Sequence, residues 1–184
     1  MSATNQLILA NLVFYFVSLF VIFSFGEKFF LENFALTPSA ILHGKTLWTL
    51  ATSMFSHLLF FHIFANMFSL FFIGNFLEKI IGKKRFFLVY LISGLIGGIF
   101  FVFSGLIFSN DTSGIGASGA VFGLLGVLAV LVPHSKISLI LGPLILILVN
   151  VLLNPIIPSN LLSVFDVAMN ALILVMIFSL FSFN

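Results

Sequence analysis

Three polar side chains on one stretch of chain, His57, His62 and Asn66, and a distant serine framed by glycines, Ser118, stand in surroundings that otherwise exclude polar groups. Ser118 belongs to Gly116-Ala117-Ser118-Gly119 and opens an apolar run, Ala120 to Val132, with no charge before His134 and Lys136. A hydroxyl there can serve as a nucleophile. Its flanking glycines let backbone approach closely and leave the serine amide free, as an oxyanion site requires. His62 and Asn66 are four residues apart, so on a helix they project from one face toward a common point, and both can donate hydrogen bonds. Ionisable groups inside a spanning segment are costly and usually mark function, which favours a chemical role for this pair over satisfied core polars. His57 falls nearer the interface, where a histidine costs little, and a structural role suits it equally. Metal binding is the rival chemistry, but two histidines with no carboxylate or third ligand nearby make a poor site. For Ser118 the rival is packing, because Gly119, Gly123 and Gly126 share a helix face and would seat a neighbouring helix.

The elements that must position these residues are membrane helices. Hydrophobic residues make up 61% of the 184-residue chain and charged residues only 7%, with a mean hydropathy of +1.32. Such a sequence cannot cover a water-facing surface with polar groups. There is no cysteine, which removes disulfide, thiolate-metal and thiol redox chemistry, and a net charge of +2 gives no basis for nucleic-acid binding. We expect an all-α, polytopic membrane protein built as one domain over residues 1–184. Its apolar segments lie near 7–26, 55–81, 86–108, 117–132, 137–153 and 161–182, giving six transmembrane helices. The first lacks a basic leader and a small-residue cleavage site, so it reads as a span rather than a signal peptide. The connection over 27–54 carries Phe29, Phe30, Leu31, Phe34, Leu36, Ile41, Leu42, Leu47 and Trp48, too apolar for open water, and is expected to lie in the membrane interface.

Charge orients the bundle. Alternate loops give one side Lys79, Lys83, Lys84, Arg85 and Lys136, and the other Lys28 and Lys45 together with Glu27, Glu32, Asp111 and Asp166. The positive-inside rule then places both termini in the cytoplasm, and we assign the chain to a prokaryotic plasma membrane. Counting back from Val132 at ~1.5 Å per residue raises Ser118 roughly 21 Å through a ~30 Å hydrocarbon core, about a third of the way down from the outer surface. Irregular backbone such as 112–117 is tolerated at that depth only when buried in protein or lining a water-filled cavity.

Together these residues resemble the rhomboid family of intramembrane serine proteases. The family's Gly-x-Ser-Gly serine appears as Ser118, and its second-helix pattern His-x4-His-x3-Asn as His57, His62 and Asn66. Gly74-x3-Glu78-x3-Gly82 leading into Lys84-Arg85-Phe86 is similar to the family's end of that helix and the turn after it. The resemblance implies a six-helix rhomboid-like bundle and cleavage of peptide bonds in or beside the transmembrane segments of single-pass substrates within the lipid bilayer, with no cofactor and no metal. It implies Ser118 as nucleophile and His62, Asn66 and the Ser118 amide as oxyanion hole. His57, Gly116, Gly119 and Phe122 support the site, Phe122 standing where rhomboids keep an aromatic ring against the catalytic histidine.

The resemblance departs at the sixth helix. Rhomboids pair the serine with a histidine in an Ala-His-x-x-Gly type motif, whereas this chain reads Asp166-Val-Ala-Met-Asn170-Ala-Leu-Ile173-Leu-Val-Met-Ile177, which puts Asn170 at the histidine's position. An amide can hydrogen-bond to Ser118 but cannot take its proton. Ile173 and Ile177 replace the small residues that would admit helix six against Gly119, Gly123 and Gly126, so Asn170→His alone is expected to restore little. His134 lies about 16 residues from Ser118, or ~24 Å along a helix, out of reach as a base. Asp166 reads better as a helix N-cap, and His62 could accept a proton only by leaving its oxyanion role. Three functions are consistent with these residues: a serine-type endopeptidase, a pseudoprotease that binds transmembrane helices without cutting them, and, weakest, a transporter or channel, for which the central helices offer no buried acid to form a relay.

Overall fold

In the computed structural model the described residues are 1–107, 109 and 111–131. The sixth-helix residues Asn170, Ile173 and Ile177, the alternative bases His134 and Asp166, and the segments expected near 137–153 and 161–182 lie outside them. The chain divides into two compact units, Met1–Gly126 and Val127–Asn184. His57, His62, Asn66 and Ser118 all belong to the first.

Helix α1 (Ala3–Phe25) is followed by three short helices, α2 (Glu27–Phe34), α3 (Pro38–Leu42) and α4 (Thr49–Thr52), then by α5 (Phe60–Ile81), α6 (Lys83–Ile107) and α7 (Ser118–Leu131). Helices α1, α5 and α6 are each long and apolar enough to cross a membrane. Their positions match the first three expected segments, except that α5 starts at Phe60 rather than near 55, because residues 53–56 form a turn in which Ser56 donates to the Thr52 carbonyl at 3.0 Å. The 14 described residues of α7 rise about 21 Å. The connection 27–54 carries its apolar residues on α2 to α4, where Phe30 is fully buried while Phe29, Leu42, Leu47 and Trp48 are exposed.

Helices α1 and α5 are bounded for local reasons. Ser2 caps α1, its hydroxyl accepting from the Asn5 amide at 3.2 Å. Gly26 (φ 88°) and Gly82 (φ 81°) close α1 and α5 with a backbone turn that side chains resist. The start of α1 is held by Glu78, near the end of α5: its carboxylate accepts from the Ala3 amide (2.7 Å), the Thr4 amide (2.9 Å) and the Thr4 hydroxyl (2.7 Å). An anion at a helix N-terminus satisfies orphan N–H groups and complements the helix dipole. Thr4 is seated on Gly74, where a Cβ would come 2.6 Å from its methyl group. This gives the Gly74-x3-Glu78 spacing a physical meaning: one turn of α5 supplies first the notch and then the acceptor.

Midway along the bundle, buried Asn11 donates to the Leu7 carbonyl at 2.8 Å and to the Tyr90 hydroxyl at 3.1 Å, joining α1 to α6. Helix α7 lies on α6 through glycines. A Cβ on Gly97 would approach the Gly119 Cα to 3.2 Å, one on Gly94 would meet the Ala120 Cβ at 3.4 Å, and one on Gly123 would overlap the Ser93 side chain. Close backbone approach of this kind is how membrane helices gain dispersion energy without a hydrophobic driving force. The expected small-residue stripe therefore exists for Gly119 and Gly123, and the helix it seats is α6. Among the described residues, no heavy atom comes within 4 Å of a Cβ built on Gly126.

Candidate active site

The loop before Ser118 is built outward from backbone bonds. Leu36 and Gly114 exchange two N–H···O bonds of 2.9 Å, the Thr37 and Ser113 hydroxyls meet at 2.8 Å, and Asp111 accepts from the Ser39 amide (2.8 Å) and hydroxyl (2.6 Å). The α2–α3 corner thus clips the entire approach to α7. A cavity of about 440 Å³ lined by Glu27, Lys28, Leu31, Glu32, Thr37 and Ser113 borders this clip. One step closer, the Gly116 amide donates to the Ser53 carbonyl at 2.8 Å.

Gly116 has φ 124°, a conformation that residues with a side chain rarely adopt. The space a side chain would need is already taken, because a Cβ there would fall 2.7 Å from both Cε1 and Nε2 of His62. The imidazole of His62 therefore lies directly on the glycine two residues before Ser118. In sequence these residues are more than fifty positions apart; the fold puts them in contact.

His57, read from sequence as nearer the interface, is completely enclosed by protein. Its Nδ1 is 3.1 Å from the Phe55 carbonyl and its Nε2 3.4 Å from the Ala117 amide nitrogen. A carbonyl can only accept and an amide N–H can only donate, so the ring carries its proton on Nδ1 and accepts at Nε2. This occupies the Ala117 amide, the one before that of Ser118. The His57 and His62 rings meet edge to face at 5.1 Å and 71°. Asn66, fully buried one turn beyond His62, donates through Nδ2 to the His62 carbonyl at 2.9 Å, fixing the amide while a second Nδ2 hydrogen is left over.

Ser118 begins α7 and is partly buried, and Gly119, next to it in α7, packs against Gly97 of α6. Phe122, one turn on, is 36% exposed; its expected neighbour, Asn170, is outside the described residues. His57, His62, Gly116 and Ser118 thus converge, and Asn66 follows on the same helix as His62. Sequence reasoning missed the backbone framework, namely Ser53, Phe55 and the Leu36–Gly114 pairing, because carbonyl and amide groups leave no trace in residue type. Among the described residues no group of three or more His, Cys, Asp or Glu side chains is arranged to hold a metal.

A serine at the start of a helix in a bundle of membrane-crossing helices, with a histidine ring on its glycine loop, defines a membrane protein carrying a polar site within apolar helices. The sequence model of the Rhomboid domain family matches residues 44–176, and the chain belongs to the rhomboid family. It is 42% identical over 92 residues to RHOMBOID-like protein 1 of Arabidopsis thaliana, a match covering 50% of this chain and 23% of that protein. It is 44% identical over 81 residues to the putative rhomboid protease YdcA of Bacillus subtilis, covering 44% of this chain and 39% of that one. It is also 33% identical over 91 residues to inactive RHOMBOID-like protein 8 of Arabidopsis thaliana, covering 50% and 25%. The matches span less than half of each of these relatives, and both a putative protease and an inactive protein occur among them.

Proposed function

We infer that the chain is a rhomboid-type intramembrane serine protease in which Ser118 attacks a peptide carbonyl in or beside a substrate's transmembrane segment. The observation that carries this reading is the contact of the His62 ring with Gly116, which sets an imidazole N–H donor beside the serine loop. The negative charge that develops on the carbonyl oxygen is met by the Ser118 amide, His62 and the remaining Asn66 hydrogen. Donors fixed before reaction stabilise a tetrahedral oxyanion without reorganising. His57 and Gly116 hold the loop, Gly119 lets α7 lie on α6, and Phe122 flanks the nucleophile. The basic α5–α6 turn supports cytoplasmic termini, and the membrane we assign is a prokaryotic plasma membrane.

Asn170, which stands at the histidine's position in the family pattern, favours a second reading: a pseudoprotease that holds transmembrane helices without cutting them. An amide cannot accept the Ser118 hydroxyl proton, and serine hydrolases without their base lose several orders of magnitude in rate while keeping some catalysis from the oxyanion hole. The two readings separate in one experiment. Purified protein and its Ser118→Ala variant are incorporated into liposomes with a helix-destabilised model transmembrane substrate. Cutting by the wild type alone establishes the protease; no cutting by either, with substrate still co-purifying, establishes the helix-binding pseudoprotease.

A further inference from the structure

Lys79, Lys83, Lys84 and Arg85 crowd the junction of α5 and α6, at the end of α5 opposite His62, and all are exposed. The fold accounts for only half of this charge. Lys79 sits in the last turn of α5, where a cation complements the helix dipole, and Lys83 donates to the Met1 carbonyl at 3.2 Å. Lys84 and Arg85 stand in the first turn of α6, where positive charge opposes the dipole, and that turn contains no acidic residue. Among the described residues neither forms an ion pair. The one carboxylate nearby, Glu78, already accepts three hydrogen bonds from Ala3 and Thr4. Four cations with one engaged carboxylate leave a concentrated positive patch that the described residues do not neutralise.

The patch caps two helices that are long and apolar enough to cross a membrane, which sets it at headgroup depth. Phe87 and Leu88, which come directly after it in α6, are exposed apolar side chains suited to acyl chains. We propose that Lys84 and Arg85, with Lys79 and Lys83 beside them, form a docking site for the phosphate of anionic phospholipids. Arg85 supplies a planar fork matched to phosphate oxygens, and Lys84 a point charge. Basic clusters flanking a spanning helix recognise anionic lipid in this way, each cation contributing about fivefold in affinity. The proposal is independent of whether Ser118 cleaves anything.

The test uses the full chain in neutral detergent, titrated with dioleoyl phosphatidylglycerol or dioleoyl phosphatidylcholine. Retained lipid is counted by native mass spectrometry and the unfolding midpoint is followed in parallel. Phosphatidylglycerol is expected to be retained selectively and to raise the midpoint. The double variant Lys84→Gln/Arg85→Gln should weaken its retention about 25-fold, whereas Lys28→Gln/Lys45→Gln, in the connection between α1 and α5, should leave it unchanged. Both altered residues are exposed, so folding is not at stake; should the double variant nevertheless misfold, Lys84→Gln alone is expected to show about a fivefold loss. Equal retention of the two lipids, or undiminished phosphatidylglycerol binding in the double variant, overturns the proposal. So does inorganic phosphate that displaces the lipid or reproduces its effect at equal concentration, which would mark a small-anion site.

Discussion

Gly116→Ala should be far more damaging than one added methyl group suggests, and its cost divides into two parts that can be measured separately. The first is conformational: φ 124° lies where an alanine is strained, a penalty of about 1–3 kcal/mol. The second is steric: the new Cβ would stand 2.7 Å from two atoms of the His62 ring, and ordinary contact begins near 3.4 Å, so ring or loop must give by about 0.7 Å. Overpacking of this size costs a further ~1–3 kcal/mol, for a total of about 2–6 kcal/mol. Equilibrium unfolding in mixed micelles measures the sum. The steric part is isolated by a double-mutant cycle with His62→Ala, since without the ring only the strain persists and the two changes should combine with a coupling of about 1–3 kcal/mol. Gly126→Ala is the internal control: it lies mid-helix with no described residue within 4 Å of its Cβ and should gain ~0.5–1 kcal/mol from helix propensity. If the protein cleaves, the same 0.7 Å shift of an oxyanion donor should cut kcat by roughly 10²-fold. A Gly116→Ala protein as stable as wild type, or a cycle with no coupling, would refute the contact between His62 and the serine loop.

The same geometry predicts other outcomes. Glu78→Ala leaves the Ala3 and Thr4 donors without their charged acceptor and should lower unfolding stability by about 1.5–3 kcal/mol; an unchanged midpoint would mean that the α1 terminus is held by something else. His57→Phe keeps the ring volume but removes the acceptor of the buried Ala117 amide, and should cost about 1–3 kcal/mol with faster hydrogen exchange at Ala117. The Asp111 carboxyl is held below its ordinary range first by the Ser39 hydroxyl, then by the Ser39 amide, with His43 adding to the effect. A depressed folded-state value means that the clip stabilises fully above the ordinary carboxylate range and is lost as pH falls through the lowered value. Exchange protection of the Ser39 amide should therefore hold at neutral pH and decline only in acid below about pH 4, and Asp111→Asn should abolish that pH dependence; protection lost above about pH 5 would contradict the assignment.

Much of this protein was already decided by residue type. Within a bilayer only helices and closed barrels satisfy every backbone amide, and runs of about 20 consecutive apolar residues select helices; α1, α5, α6 and α7 fall close to where hydropathy put them. The spacing of His62 and Asn66 follows from the 3.6-residue period alone. The glycines of α7 were legible as a stripe, since small residues at that interval have few other uses in a membrane helix. Which helix they seat was not, because small residues on α7 specify closeness and not a partner; Ser93, Gly94 and Gly97 on α6 supply it. His57 shows the limit most clearly. Its residue type allows an interfacial side chain or a buried one, and only the folded position of two backbone groups, the Phe55 carbonyl and the Ala117 amide, gives both ring nitrogens a partner and offsets the cost of burial. The meeting of His62 with Gly116, and the clip from Leu36 and Ser39 to the serine loop, depend likewise on segments far apart in sequence being brought together by packing. A sequence records which side chains can bond; tertiary structure decides which backbone groups they find.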